Sequence, residues 1–386
     1  MPRSYPALHR NLRFNGENDV NIDLLKRLCE TPGVPGREER VRELIESEID
    51  GLFDDVAIDG MGSLICTREP RAARKKGSKK TTAKRSTGSA NDDPTRIALL
   101  CHMDEIGFYV SHIDDKGFIR VNAAGGFDTR NLFSRRMLVC TKDHGDIHGV
   151  MNPGGRPIHI ATPEDKKKIP EVKEFMIDTG LPAAKVKKMI RIGDMVVTNE
   201  PFLEMGDKLV SKCLDNRIAC WLGIEAIRAI EKSGAGHKAQ INVCFTTQEE
   251  VGLRGALTSS FAVMPDIAIG VDTTLSCDTP GVPGEETVTI QGEGVALGVM
   301  DGYMIADHTL TDELEAVADK KGIRTQRSIL PRGGQDGGAA QRTGVGCRAG
   351  ALLVGLRYIH TVTEMAHKRD LKAALDLIAA WAPTVK

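Results

Sequence analysis

Two histidines, two aspartates and one adjacent pair of glutamates stand in settings that suit chemistry. They are His102 in HMDEIGF, Asp215 in CLDNR, Glu249 and Glu250 in TTQEEVGLRGA, Asp272 in VDTT and His360 in RYIHTVTEM. His, Asp and Glu are the ligand types of hydrolytic zinc-type sites. Two cations sharing one carboxylate need about five such groups, with one more carboxylate left to take a proton from water. The inventory therefore fits a two-metal hydrolase. Glu249 and Glu250 are the sharpest local signal, because adjacent carboxylates repel unless a cation or a shared proton lies between them. On a turn they can diverge, one to a metal and the other to the attacking water. Asp104 lies two residues after His102, close enough to hold the second ring nitrogen, which fixes the tautomer and raises basicity.

Most of these residues fall at or just beyond the ends of apolar runs that read as strands. RIALLC (96–101) delivers His102 and Asp104, INVCFTTQ (241–248) delivers the glutamate pair, and IAIGVD (267–272) ends on Asp272. In open α/β sheets, ligands bind in the crevice beyond the carboxyl ends of the strands. Between the runs lie helical patterns. Residues 20–49 read as two helices broken by TPGVPG, the second with Val41, Leu44, Ile45 and Ile49 on one face. Asp215 opens a helix whose Ile218, Leu222, Ala226, Ile227 and Ile230 share a face, and the last helix runs from about Asp370 to Trp381. Strands alternating with helices predict an α/β fold with a central mixed sheet sandwiched by helices.

From about Glu105 to Asp207 the texture changes. Short β-like pieces (FYVSHI, GFIRV, MLVCT, IHGVM, DMVVT) alternate with glycine turns, and PEDKKKIPEVKEF reads as a charged helical stretch. This predicts a small β-rich domain at 104–206, inserted into a larger one formed by 20–103 and 207–386 after an N-terminal extension, 1–19. The Lys/Arg-rich stretch 68–95 is too polar to offset its ordering entropy and is expected to be a mobile loop insertion. It carries no interleaved aromatic residue for base stacking.

The bulk properties remove several other functions. Lys plus Arg (52) nearly cancels Asp plus Glu (53), so no global field recruits nucleic acid or an anionic membrane. Apolar stretches such as AGALLVGL are too short to span a bilayer. The first residues, MPRSYPALHRNLRF, lack the apolar run of a secretion signal. Nine cysteines without a Cys-x-x-Cys pair suit reduced, buried thiols, so a cytoplasmic enzyme is expected. Glucan hydrolysis would need two carboxylates flanking a sugar bond, usually without metals, and aromatic platforms. The chain has two tryptophans, four tyrosines and ten phenylalanines, and its carboxylates come with histidines. A non-catalytic peptide-binding scaffold is the other alternative, although such homologues usually lose a ligand or the base.

HMDEIGF, DNR, FTTQEEVGLRGA, DTTLSCDTPGV, RGGQDGGAAQ and RYIHTVTEM together, in this order, resemble the glutamyl and tetrahedral aminopeptidase family of two-metal peptidases, some of which carry endoglucanase or deblocking-aminopeptidase labels. The likeness runs from about Val20 to about Trp381. It implies a zinc-exopeptidase-like fold acting on peptides with a free N-terminus, two divalent ions per subunit (zinc, with cobalt or manganese as substitutes), and an apical dimerisation domain from which dimers assemble into a homo-dodecamer. It implies that Asp215 bridges both metals, that Glu250 and His360 complete one site and that His102 and Asp272 complete the other. Glu249 would be the general base, Asp104 would orient His102, and the Asp215–Asn216 peptide would be cis. The loop usually written GGTDAGA reads GGQDGGA here, with Gln335 and Gly337, and the approach to the histidine is VGLRYIH, with Gly355 and Leu356.

Overall fold

A computed structural model describes residues 20–73 and 93–386. The N-terminal extension and residues 74–92 of the Lys/Arg-rich stretch, including the expected mobile loop, lie outside the described residues. The start of that stretch is anchored: Arg71 bridges to His237 through backbone hydrogen bonds and pairs with Asp54 at 3.1 Å.

Helices α1 (Ile22–Glu30) and α2 (Glu39–Glu48) precede strands β1 (Asp55–Ile58), β2 (Leu64–Arg68) and β3 (Arg96–His102). Six strands follow: β4 (Gly107–Ile113), β5 (Ile119–Ala124), β6 (Arg135–Cys140), β7 (Asp146–Pro153), β8 (Phe175–Asp178) and β9 (Met195–Thr198). Short helices α3 (Pro163–Lys167) and α4 (Ala183–Met189) lie in their connections. The chain then forms β10 (Leu203–Met205), β11 (Lys208–Ser211), α5 (Leu214–Ser233), β12 (Gln240–Thr246), α6 (Arg254–Val263), β13 (Ile267–Leu275) and β14 (Val295–Met300). It ends with α7 (His308–Lys321), β15 (Thr325–Ile329), α8 (Gly337–Ala340), β16 (Arg348–Arg357), β17 (Glu364–His367) and α9 (Lys368–Trp381).

Among the described residues, eleven strands make one mixed sheet in the order β1-β2-β12-β3-β13-β16-β17-β11-β10, with β14 also pairing with β16 and β15 pairing with β14. The central strands β12, β3, β13 and β16 are parallel. Parallel strands are covered on both faces, which is why their sequences are almost unbroken apolar runs. Along β3, Ile97, Leu99 and Cys101 join the core under α1, α5 and α9, while Ala98 and Leu100 join Val263 and Ala340 under α6 and α8. This is the expected three-layer α/β architecture.

Strands β4 to β9 close into a separate barrel in the order β4-β5-β8-β7-β6-β9, filled by Phe108, Val121, Met137, Met151, Phe175 and their neighbours. Closure leaves no strand edge to protect. Strand β10, although it precedes residue 207, pairs with β11 in the large sheet. The charged stretch 163–175 differs from expectation, holding the five-residue α3 and a 3-10 turn at Val172–Glu174. Pro170 explains the break, since proline removes a helical N–H and disfavours helix at the residue before it.

Helix α5 is the element that carries the most for the site. Asp215 and Asn216 have non-helical dihedrals, and the peptide between them is cis. Regular helix begins beyond Asn216, whose Oδ1 accepts from Ala219 N at 3.1 Å as an N-cap and whose Nδ2 donates to Val271 O at 3.0 Å. Asp215 is thus held outside the helical ladder, facing the sheet. The other end stops at Gly234, which takes the left-handed φ of 68° that glycine tolerates best.

Candidate active site

The described fold brings all six residues singled out by type and spacing to one place. His102 is the last residue of β3, and Thr246 at the end of β12 is its register partner, so the Gln248–Leu253 turn that follows carries Glu249 and Glu250 beside it. Asp272 projects from β13, Asp215 from the kink of α5, and His360 from the connection between β16 and β17. Asp215 lies at the centre. Its Oδ1 is 3.4 Å from Nε2 of His102 and its Oδ2 is 3.3 Å from Nε2 of His360. Asp272 Oδ1 and Glu249 Oε2 are each 3.8 Å from the His102 nitrogen, and Glu250 Oε2 is 3.5 Å from the His360 nitrogen.

Two sets of ligand atoms each lie within 4.8 Å of one another: His102 with Asp215 and Asp272, and Asp215 with Glu250 and His360. A third set joins His102 with both glutamates. These groups fit divalent cations. They mix imidazole with carboxylate, and Glu250 Oε1 is buried without a hydrogen-bond partner. The electrostatics agree. Burial, together with the nearby Asp272 and Glu250 charges and against the pull of His102, pushes the Glu249 carboxyl well above its usual range. Burial and Asp215 raise Glu250 to about 8. Burial disfavours the charge on Asp215, but hydrogen bonds from both histidines outweigh it and hold that carboxyl below its usual range. Burial likewise works against charged His360, and Asp215 and Glu250 outweigh it, raising the imidazole to about 10. A cation of charge two relieves such crowding of carboxylates more fully than an imidazolium does.

Asp104 does more than its spacing suggested. His102 Nδ1 lies 3.1 Å from the backbone carbonyl of Asp104 and 3.5 Å from its Oδ1. The carboxylate also accepts from the backbone N–H groups of Glu249 (3.0 Å) and Glu250 (3.1 Å), so one side chain aligns the histidine and the glutamate turn. The same turn is braced from the N-terminal segment by Glu38, which accepts from Gly36 N and Gln248 N.

Several contributors were not singled out from the sequence. Gly126, in the loop after β5 of the barrel, accepts from His360 Nδ1 at 3.1 Å. Glu364, at the start of β17, accepts from the backbone N–H groups of Asp215 and His360. Buried Arg217 donates to the carbonyls of Leu28, Met103 and Thr31, tying the turn after β3 to the end of α1. Asp336 accepts from Thr246 Oγ1 behind His102. The arginine followed Asp-Asn in a motif, and the two acids lay inside motifs, but their roles depend on backbone groups distant in sequence.

The two departures at 335 and 337 turn out to be coupled. Gln335 is buried, donates to Asp301 Oδ2 at 3.0 Å and accepts from Gly337 N at 2.6 Å. A β-carbon at 337 would lie 2.7 Å from Gln335 Oε1, so that side chain would have to shift, and 3.1 Å from the backbone oxygen of Gly350. Glutamine at 335 in this pose therefore favours glycine at 337. Gly337→Ala alone is expected to cost about 1–3 kcal/mol. Adding Gln335→Thr should recover more than half of that in urea unfolding, whereas additive losses would refute the coupling.

A cavity of about 550 Å³ near Thr95, Glu313 and Trp381 lies by Ile267, at the opposite end of β13, and takes no part in the site.

Comparison with known proteins agrees with this geometry. Residues 83–377 match the M42 glutamyl aminopeptidase family. A relative from Acetivibrio thermocellus that bears an aminopeptidase name is 34% identical over 363 residues, covering 94% of this chain and 98% of that one. The solved TET aminopeptidase from the marine sediment archaeon Thaumarchaeota archaeon SCGC AB-539-E09 is 29% identical, with a TM-score of 0.85 over 95% of this chain and 96% of the other. The TET1 peptidase of Pyrococcus horikoshii, described as assembling into a tetrahedron or a large octahedral shell, is 28% identical, with a TM-score of 0.79 over 94% of this chain and 99% of the other.

Proposed function

Since this chain belongs to the M42 glutamyl aminopeptidase family and is an aminopeptidase, we propose that it releases the N-terminal residue of peptides through a two-cation site with Glu249 as general base. His102 and Asp272 would hold one cation, Glu250 and His360 would hold the other, and Asp215 would serve both. The observation that carries this reading is that the two oxygens of Asp215 face two different histidines at 3.4 and 3.3 Å, each histidine with a further carboxylate beside it.

Divalent ions held there would supply Lewis-acid chemistry to the scissile carbonyl and the attacking water. Glu249 takes the proton from the attacking water and returns it to the leaving amine. Asp104 keeps the His102 ring and the Glu249 backbone in register while it does so. The carboxylates around the site receive the free α-amine of the substrate, which restricts cleavage to the chain end. Zinc suits the mixed imidazole and carboxylate set, with cobalt and manganese as substitutes.

The test is a panel of aminoacyl-nitroanilides and their N-acetylated forms offered to the metal-loaded enzyme. Free-amine substrates should turn over at least about 100-fold faster than acetylated ones, since the lost contacts to a buried polar site are costly. Equal rates on both would remove the exopeptidase reading. Glucan hydrolysis gains no support from a site in which every carboxylate pair is flanked by a histidine.

We read residues 20–103 and 207–386 as the catalytic domain and 104–206 as an inserted dimerisation domain from which dimers build a dodecamer. Exposed Ile158, Ile160 and Ile169, in the connection between β7 and β8, support an apolar contact there. Sedimentation at the mass of a single chain would exclude that assembly. A cytoplasmic location is our reading of nine free thiols, seven of them buried. Cell fractionation tests it.

A further inference from the structure

We infer that Glu364 is a positioning residue that couples the shared carboxylate of Asp215 to His360, an inference that rests on the two-cation reading above. Antiparallel pairing of β11 with β17 sets Glu364 opposite Ser211, four residues before Asp215. From there its Oε2 accepts from Asp215 N at 3.0 Å and its Oε1 accepts from His360 N at 2.8 Å. Both hydrogen bonds are buried or nearly so, and the glutamate is 2% exposed.

The segments it joins need holding. Cys213, just ahead of Asp215, has φ of 50°, and Tyr358 and His360 have φ of 61° and 60°. Side chains with a β-carbon disfavour this region, and it persists where the surroundings over-determine it. One carboxylate meets that need for two turns at once. Because Asp215 and His360 would ligate the same cation, the distance between their backbones sets the geometry of that site. Glu364 fixes that distance without lying in any of the three candidate ligand groups. Its two oxygens are already engaged by N–H groups, which separates it from the ligands themselves.

Glutamine at 364 would keep the volume but offer one accepting oxygen, with its amide group set against the other N–H. Alanine would leave both N–H groups buried and unpaired. The experiment compares wild type, Glu364→Gln and Glu364→Ala in zinc competition against a chelator of known affinity. Circular dichroism and melting of the metal-free proteins report folding. In Glu364→Gln, the affinity for the more weakly held zinc should fall about 10- to 100-fold with the fold intact, as for other groups that orient metal ligands. Turnover of an aminoacyl-nitroanilide should drop through kcat at limiting zinc, recover at saturating zinc, and show an unchanged KM. Folded variants that resist the chelator like wild type, or a kcat loss that zinc does not restore, would overturn the inference. If Glu364→Ala fails to fold, Glu364→Gln decides. If neither folds, the carboxylate is a structural strut and the positioning role is refuted. Wild type that retains no zinc and works without it would instead refute the two-cation reading, whatever the variants do.

Discussion

Replacing Glu249 by glutamine lowers kcat by about two to four orders of magnitude while leaving metal content unchanged, the size of effect expected when a general base is removed. The amide preserves the shape and the backbone N–H bond to Asp104 Oδ1. What it cannot do is accept the proton of the attacking water. The alternative is that Glu249 is itself a ligand, which its grouping with His102 and Glu250 would allow. The two assignments separate cleanly, because losing a ligand would reduce the metal bound per chain as well as the rate. Kinetics combined with metal analysis of the variant reads both quantities. Near-wild-type turnover would remove Glu249 from the reaction altogether.

Asp215→Asn is the second large effect, and it should reduce bound metal from two ions to one per chain. The aspartate presents one oxygen towards each histidine, and an asparagine can keep only one of these. Losing one Lewis acid forfeits several kcal/mol of transition-state stabilisation, and about 4 kcal/mol corresponds to a roughly 1,000-fold slower reaction. The backbone of residue 215 should stay in place, since its N–H is held by Glu364 and the next residue caps α5 through Ala219. A variant that keeps both ions and turns over within a few-fold of wild type would show that Asp215 is not shared.

Much of the candidate site's geometry is legible in the sequence. His102 ends β3 and the glutamate pair follows β12, as their apolar runs announce, whereas Asp272 lies within β13, which runs three residues past the expected strand end to Leu275. The three-layer fold follows from the same alternation of strands and helices. What escaped was of a different kind. Glu364 reads as an ordinary acid four residues after His360, and its meaning lies in an N–H 149 positions away. Asp104 was expected to orient a ring, and its hold on the glutamate turn depends on the parallel register between β3 and β12. Backbone donors leave no mark in a sequence, since every residue but proline has one. Pro170 breaks the charged stretch that composition alone reads as one helix. Gln335 and Gly337 could be seen as departures singly, whereas their mutual dependence required the 2.6 Å contact between them.

The bond from His360 to Gly126 joins a side chain of the large sheet to the main chain of the barrel. At 3.1 Å it has little slack, and a separation of about half an ångström more would end it. A minimal enzyme made by excising the barrel would therefore release the imidazole from its one fixed backbone acceptor and let the ring turn. Trimming the insertion would thus also remove a restraint on the orientation of His360.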